Sequence, residues 1–250
     1  MAGHSHSSNI ARRKGAVDAK RGKVFSKLAR AIISAARQGG GDPDANLKLR
    51  YAVDKAKAAN VPKDTIERAI QRGAGSKDSD AFEEVNYEGY APGGIAILVA
   101  ALTDNRHRTS PDIKYAFDKC GGNLGTPGSV AFMFQLRSVI VIDAAGRNED
   151  QLTELALDVG ADNIEVDGDT AVLTAGPTEF VALKATLEKR GNKLLSAELA
   201  YEAQNRVPVA DKEAARKILK LIGELEDNDD VQNVYANYDM PAEWFDELSG

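Results

Sequence analysis

One cysteine, Cys120, is present among 250 residues, so no disulfide can form within the chain and a reducing compartment, the cytoplasm, is the expected setting. A lone thiol in a glycine-rich stretch reads as a small buried apolar group rather than a nucleophile, and no histidine lies within ten residues of it. Long hydrophobic runs are also missing. No stretch approaches the roughly 20 apolar residues that span a bilayer, so no membrane partner is expected. The longest run, Ile95–Leu102, has the length of a buried strand. An apolar segment after a basic start is missing too: Met1–Ser8 is small and polar, so no ordinary signal peptide is expected. The Arg- and Ser-rich, acid-poor start shares features with a mitochondrial presequence. Gly15, Gly22 and the run into further helices favour instead a part of the fold. No internal repeat recurs at a fixed period.

What is present is a strong charge asymmetry. The net charge is −6, yet residues 1–79 hold 17 Lys/Arg against 7 Asp/Glu, a balance of +10, and residues 80–250 carry −16. From Met1 to Arg37 there are nine basic residues and one acid, Asp18. A basic segment on an acidic protein points to a polyanion partner for that segment. The length suggests two or three domains, and 43% apolar residues is enough for a sizeable core.

The basic segment reads as three amphipathic helices. In the first, about residues 18–38, Phe25, Leu28, Ile32 and Ala35 form an apolar stripe, and Lys20, Lys23, Lys27 and Arg30 lie off it. The second is expected to begin with Asp42 as its cap and Pro43 in its first turn, burying Ala45, Leu49, Val53 and Ala56. The third is expected to start near Pro62, bury Ile66, Ala69 and Ile70, and stop at Gly73. Residues 74–80 (AGSKDSD) read as a linker.

Beyond the linker, VNYEGYAPGGIAILVAALTDN suggests two strands and Ser110–Lys119 a helix, with Thr109 or Ser110 as cap and Pro111 in its first turn. CGGNLGTPGS reads as a loop and VAFMFQ as a strand. Residues 138–201 then alternate β-α-β-β-α-β, the ferredoxin-like arrangement. A further helix (DKEAARKILKLIGELEDNDD) and strand (VQNVYANYD) need a sheet to join. The expected fold is therefore α+β: a three-helix bundle (1–79), a discontinuous α/β domain (80–137 plus 205–250), and a ferredoxin-like βαββαβ domain (138–204) inserted in it.

Candidate chemistry is concentrated in the arm. Arg12, Arg13, Lys14, Lys20, Arg21, Lys23, Lys27 and Arg30 can neutralise phosphates with release of counterions. Arg106 and Arg108 offer a second basic contact. These charges do not choose among DNA, mRNA and ribosomal RNA. The loop Gly121–Ser129 invites a phosphate-cradle reading, but it lacks a P-loop lysine and a dinucleotide fingerprint, and a tight connection is the expected role. His107 has no identifiable nucleophile or orienting acid, so no catalysis is expected. Tyr87, Tyr90, Tyr235 and Tyr238 fall on strands, where core packing is a commoner role than base stacking. Ala2-Gly3-His4, exposed by removal of Met1, would hold Cu(II) or Ni(II) in a plane of nitrogens, an incidental property of any such start. No cofactor or small-molecule substrate is expected.

The start MAGHS, the run RKGAVDAKRGKVFSKL, the stretch LTDNRHRT, the loop GGNLGTPGSVAFMF and the late DVQNVYANYDM resemble the YebC family. These are bacterial proteins labelled probable transcriptional regulators, and a mitochondrial relative activates translation of a cytochrome oxidase subunit. The resemblance implies a helical N-terminal bundle, two α/β domains, a cytoplasmic location and engagement of nucleic acid or the ribosome. This chain departs from the family at His6, Ser7, Ser8 and Ala11, where an aromatic ring and two lysines are replaced, while Arg12, Arg13 and Lys14 keep charge nearby. The expected function is a DNA-binding transcriptional regulator, with a ribosome-associated translation factor as the alternative.

Overall fold

The structure, a computed structural model, describes residues 21–75 and 82–248. Among the described residues, three N-terminal helices precede two four-stranded antiparallel sheets, an α+β fold. Helices α1 (Arg21–Gly39), α2 (Leu47–Ala58) and α3 (Lys63–Gly75) pack around Leu28, Ile32, Ala35, Leu49, Val53, Ala56, Ile66 and Ala69. The 3.6-residue apolar stripes become one small core, to which each fully buried Leu or Ile contributes about 1.5–3 kcal/mol.

Two helix signals act differently from their sequence reading. Asn46, not Asp42, caps α2: its side chain accepts from Leu49 N and donates to the carbonyls of Ala35 and Gly40. One amide thus starts α2 and ties it to the end of α1, while Asp42–Ala45 forms a turn ahead of it. Gly73 does not stop α3 but lies inside it, where α3 crosses α1. A Cβ there would sit 2.5 Å from Ile33 O and 2.7 Å from Ala36 Cβ.

The first sheet has the order β3-β1-β2-β9, from strands β1 (Glu83–Ala91), β2 (Ile95–Thr103), β3 (Asn123–Leu124) and β9 (Val231–Ala236). Helices α4 (Arg106–Lys119) and α7 (Lys212–Asp227) cover one face. The second sheet has the order β5-β6-β4-β7, from β4 (Phe134–Asp143), β5 (Asn163–Asp167), β6 (Thr170–Ala175) and β7 (Leu194–Ala203), with α5 (Glu149–Val159) and α6 (Phe180–Lys189) on its outer face. This is the strand order of a ferredoxin-like βαββαβ unit. A short parallel pair, β8 (Val207–Pro208) with β10 (Tyr238–Asp239), and helix α8 (Ala242–Leu248) complete the described chain.

The two sheets pack face to face, giving four layers. Ile95, Ile97, Val99 and Ala101 of β2 join the core under α4 and α7. Ala96 and Leu98 of the same strand meet Val139, Val141 and Val172 of the second sheet. Ile140 and Ile142 alternate to the opposite side, under α5 and α6. Burial on both faces explains why β2 is an unbroken apolar run.

Two further boundaries differ. Helix α4 begins at Arg106 with Asn105 as its cap, accepting from Arg108 N, and Pro111 lies within the helix. Thr109 lies within the first turn of the helix, where its hydroxyl donates to a buried carboxylate, described below. Ala131–Met133 forms a 3-10 turn, so the strand expected from Val130 starts at Phe134. Among the described residues no helix is long and apolar enough to cross a membrane.

Candidate nucleic-acid interface

Of the basic residues singled out in the sequence, Arg12, Arg13, Lys14 and Lys20 lie outside the described residues, as does His4. Arg21 opens α1. Lys23, Lys27 and Arg30 follow at spacings of four and three, which puts them on one face of α1. That face meets the C-terminal end of α7. Lys27 Nζ donates to Glu226 O at 2.6 Å, Lys23 Nζ to Asp227 O at 3.2 Å, and Arg30 Nη1 to Asp229 O at 2.7 Å. The last carbonyls of a helix have no partner in the helix and carry the negative end of its dipole, so cations are favoured there. Burial pushes the Lys27 ammonium pKa down, against the pull of Glu226, Asp229 and Asp227.

Arg30 also reaches Asp230, whose carboxylate is buried and accepts from four side chains. Arg30 Nη1 lies 2.8 Å from Oδ1. Arg108 Nη2 at 2.8 Å, Thr109 Oγ1 at 2.7 Å and Thr103 Oγ1 at 3.2 Å share Oδ2. Burial raises the Asp230 pKa, but these donors and the two guanidinium charges outweigh it and hold the group below the usual carboxylate range. The fold therefore brings the basic face of α1 and the start of α4 to one carboxylate. Arg106, two residues from Arg108, pairs with Glu83.

Helix α2 makes a second contact with the body. Tyr51 Oη accepts from Leu199 N at 3.0 Å, and its ring meets Phe180 edge-on at 5.5 Å. Lys55 pairs with Glu198 at 3.2 Å, and Asp54 faces Lys184 at 3.8 Å. Between these contacts a cleft of about 850 Å³ separates α1 and α2 from α6 and β7. Asp230, Tyr51 and Lys55 escape a sequence reading because their partners are distant in the chain. The only local sign is the acidic run ending α7.

The glycine-rich loop is already filled. Glu88, a buried residue of β1, accepts from the N–H groups of Gly128, Val130 and Ala131, each at 2.7 Å. Burial opposes its charge, but these three donors keep its pKa below the usual range. The N–H groups that would cradle a phosphate hold a carboxylate of the protein itself, which favours a tight connection. The four tyrosines are core or linked to core: Tyr87, Tyr235 and Tyr238 are buried, and Tyr90 donates to Ser129 O. His107 is exposed, and Cys120 is buried with its thiol pKa raised by that burial. Among the described residues no group of His, Cys, Asp and Glu is placed to hold a metal ion.

The family model for the TACO1/YebC protein N-terminal domain matches residues 5–76, and that for the TACO1/YebC second and third domain matches residues 82–238. A probable transcriptional regulatory protein of Rubrobacter xylanophilus is 51% identical over 251 residues, covering all of both chains. One of Dictyoglomus thermophilum is 48% identical over 250 residues, again covering all of both. Among solved structures, a conserved hypothetical protein of Aquifex aeolicus superposes with a TM-score of 0.83 at 44% identity, over 90% of this chain and 93% of that one.

Proposed function

The chain belongs to the TACO1/YebC family, and on that premise we propose that it is a cytoplasmic nucleic-acid-binding regulator, acting on transcription through DNA. Relatives along the whole length carry the name probable transcriptional regulatory protein. The observation that carries the reading is convergence: Lys23, Lys27 and Arg30 of α1 and Arg108 of α4 gather at the acidic end of α7, whose oxygens they hold where a phosphate backbone could take their place. Arg12, Arg13, Lys14, Lys20 and Arg21 extend the same charge along the chain, and Arg106 lies beside it. Such cations neutralise phosphates and position a protein on a backbone without reading sequence. The acidic α/β body repels the same polyanion and so restricts it to the basic edge. No catalytic role is proposed.

The test is recovery of the native protein from cells on chromosomal DNA, compared with its sedimentation with ribosomes at the same salt. Retention on DNA supports the reading. Pelleting with ribosomes and absence from DNA would replace it with the translation-factor alternative, in which ribosomal RNA supplies the phosphates.

A further inference from the structure

We propose that the contact between α1 and the end of α7 is autoinhibitory: the body occupies the phosphate-binding face of the bundle, and a nucleic acid gains that face only by displacing it. This rests on the functional reading above and adds its regulation.

The occupied positions are those a phosphate backbone would take. Lys23, Lys27 and Arg30 each point a donor at an oxygen: the carbonyls of Glu226, Asp227 and Asp229 and the carboxylate of Asp230. A row of cations at helical spacing thus meets a row of oxygens carrying negative charge. The segment Glu224–Asp230 (ELEDNDD) adds five acids around them. Cations engaged in this way are not available to an external polyanion.

The contact is also built to come apart. Among the described residues the bundle has its own core, made of residues between Val24 and Ile70, and no buried apolar cluster joins it to the body. Its attachments are mostly polar: the α7 end, Lys55 with Glu198, Tyr51 with Leu199 N, Lys48 with Glu84, and Asp54 with Lys184, with the edge-on contact of Tyr51 and Phe180 as an apolar addition. A cleft of about 850 Å³ lies beside them. Interfaces without a large hydrophobic core permit relative motion of the parts they join. Several of these pairs are partly exposed, with Lys23 and Asp227 side chains 51% and 48% exposed, so salt and polyanions compete with them directly. The apparent affinity for nucleic acid then equals the intrinsic affinity multiplied by the fraction of open molecules.

The test uses the full chain. The triple variant Glu226→Gln, Asp227→Asn, Asp229→Asn removes charge from the α7 end but leaves Asp230 and its network in place. A matched control, Glu149→Gln, Asp150→Asn, Glu154→Gln, removes the same charge from exposed positions of α5. Two readouts are taken: affinity for a DNA duplex, and energy transfer between dyes at Arg72→Cys on α3 and Lys189→Cys on α6, without DNA. The proposal expects a lengthened dye distance and an affinity raised about threefold or more in the triple variant, beyond any gain in the control. Binding with distance and affinity both unchanged overturns the proposal alone. An affinity gain equal to that of the control overturns it as well, since net charge then accounts for the effect. If no protein binds DNA, the functional reading falls and the proposal with it.

Discussion

Arg30 and Asp230 stand 200 residues apart in sequence and 2.8 Å apart in space. The Asp230 carboxylate joins bundle and body, and it also anchors the start of α4 through Arg108 and Thr109. Asp230→Ala leaves two guanidinium groups and two hydroxyls without their shared acceptor. Denaturant unfolding is expected to show a loss of about 2–4 kcal/mol. Arg30→Ala removes the bonds to Asp229 O and Asp230 from a partly buried position but leaves Asp230 three other donors, and should cost less, about 1–2 kcal/mol.

Glu88 gives a pH signature. Its folded pKa lies below the ordinary value, so its contribution is full above the unfolded glutamate pKa of about 4.3 and is lost as pH falls through the folded value. Glu88→Gln offers one acceptor oxygen where Gly128, Val130 and Ala131 use two. Stability should drop by about 1–3 kcal/mol at neutral pH. The gap between the two proteins should narrow below about pH 4, in urea melts across that range.

Gly73→Ala sets helix propensity against space. Alanine favours a helix interior by about 1 kcal/mol over glycine. Here its methyl would press on the Ile33 carbonyl at 2.5 Å, and backbone does not move aside cheaply. A net destabilisation of about 1–3 kcal/mol is expected, read in thermal unfolding. A rise in melting temperature would show that α1 and α3 can part at that crossing.

The basic arm predicts a salt law. Engagement of about six phosphates gives a slope of log K against log salt near −4 to −5. Neutral replacements at Arg12, Arg13, Lys14, Lys20, Arg21 and Lys23 should weaken binding and flatten that slope. A salt-independent affinity, equal in both proteins, would remove electrostatics from the interface.

Strand β4 begins at Phe134, four residues before the unit expected over 138–204, and we further propose that this unit, taken from Phe134, folds separately from 80–133 with 205–250. A fragment beginning at Phe134, the first residue of β4, should fold around Ile140, Ile142, Leu152, Leu173, Leu183 and Leu187. It bares Val139, Val141 and Val172, so sedimentation should find it self-associated. A fragment of 80–137 lacks α7 and β9 and should not unfold cooperatively.

How much of this was legible in the sequence depended on range. The stripe of Leu28, Ile32 and Ala35 and the run Ile95–Leu102 stand out because 3.6- and 2-residue periods, or continuous apolarity, follow directly from which faces are buried. Asn46 displaced Asp42 as a cap because its amide also bonds to Ala35 and Gly40, a benefit that no local pattern records. Gly73 reads as a stop signal until α1 is seen against it. The cations of α1 were visible as charge, but the carbonyls of Glu226, Asp227 and Asp229 have no side-chain identity to read. The packing of one sheet on the other rests on Val139, Val141 and Val172, whose burial the alternation of strands predicts without naming what covers them.

The pairing of β2 with β9 sets the order in which the molecule can be completed during its synthesis. Strand β2 leaves the ribosome long before its partner, and roughly 130 residues must follow before β9 exists, about 6–26 s at common elongation rates. Throughout that interval one hydrogen-bonding edge of the most apolar strand is open, although the ferredoxin-like unit emerges in time to cover one of its faces. The nascent chain therefore carries a strand-shaped vacancy that its own last segment fills. A factor that shields this edge of β2 would find it open only while translation is under way.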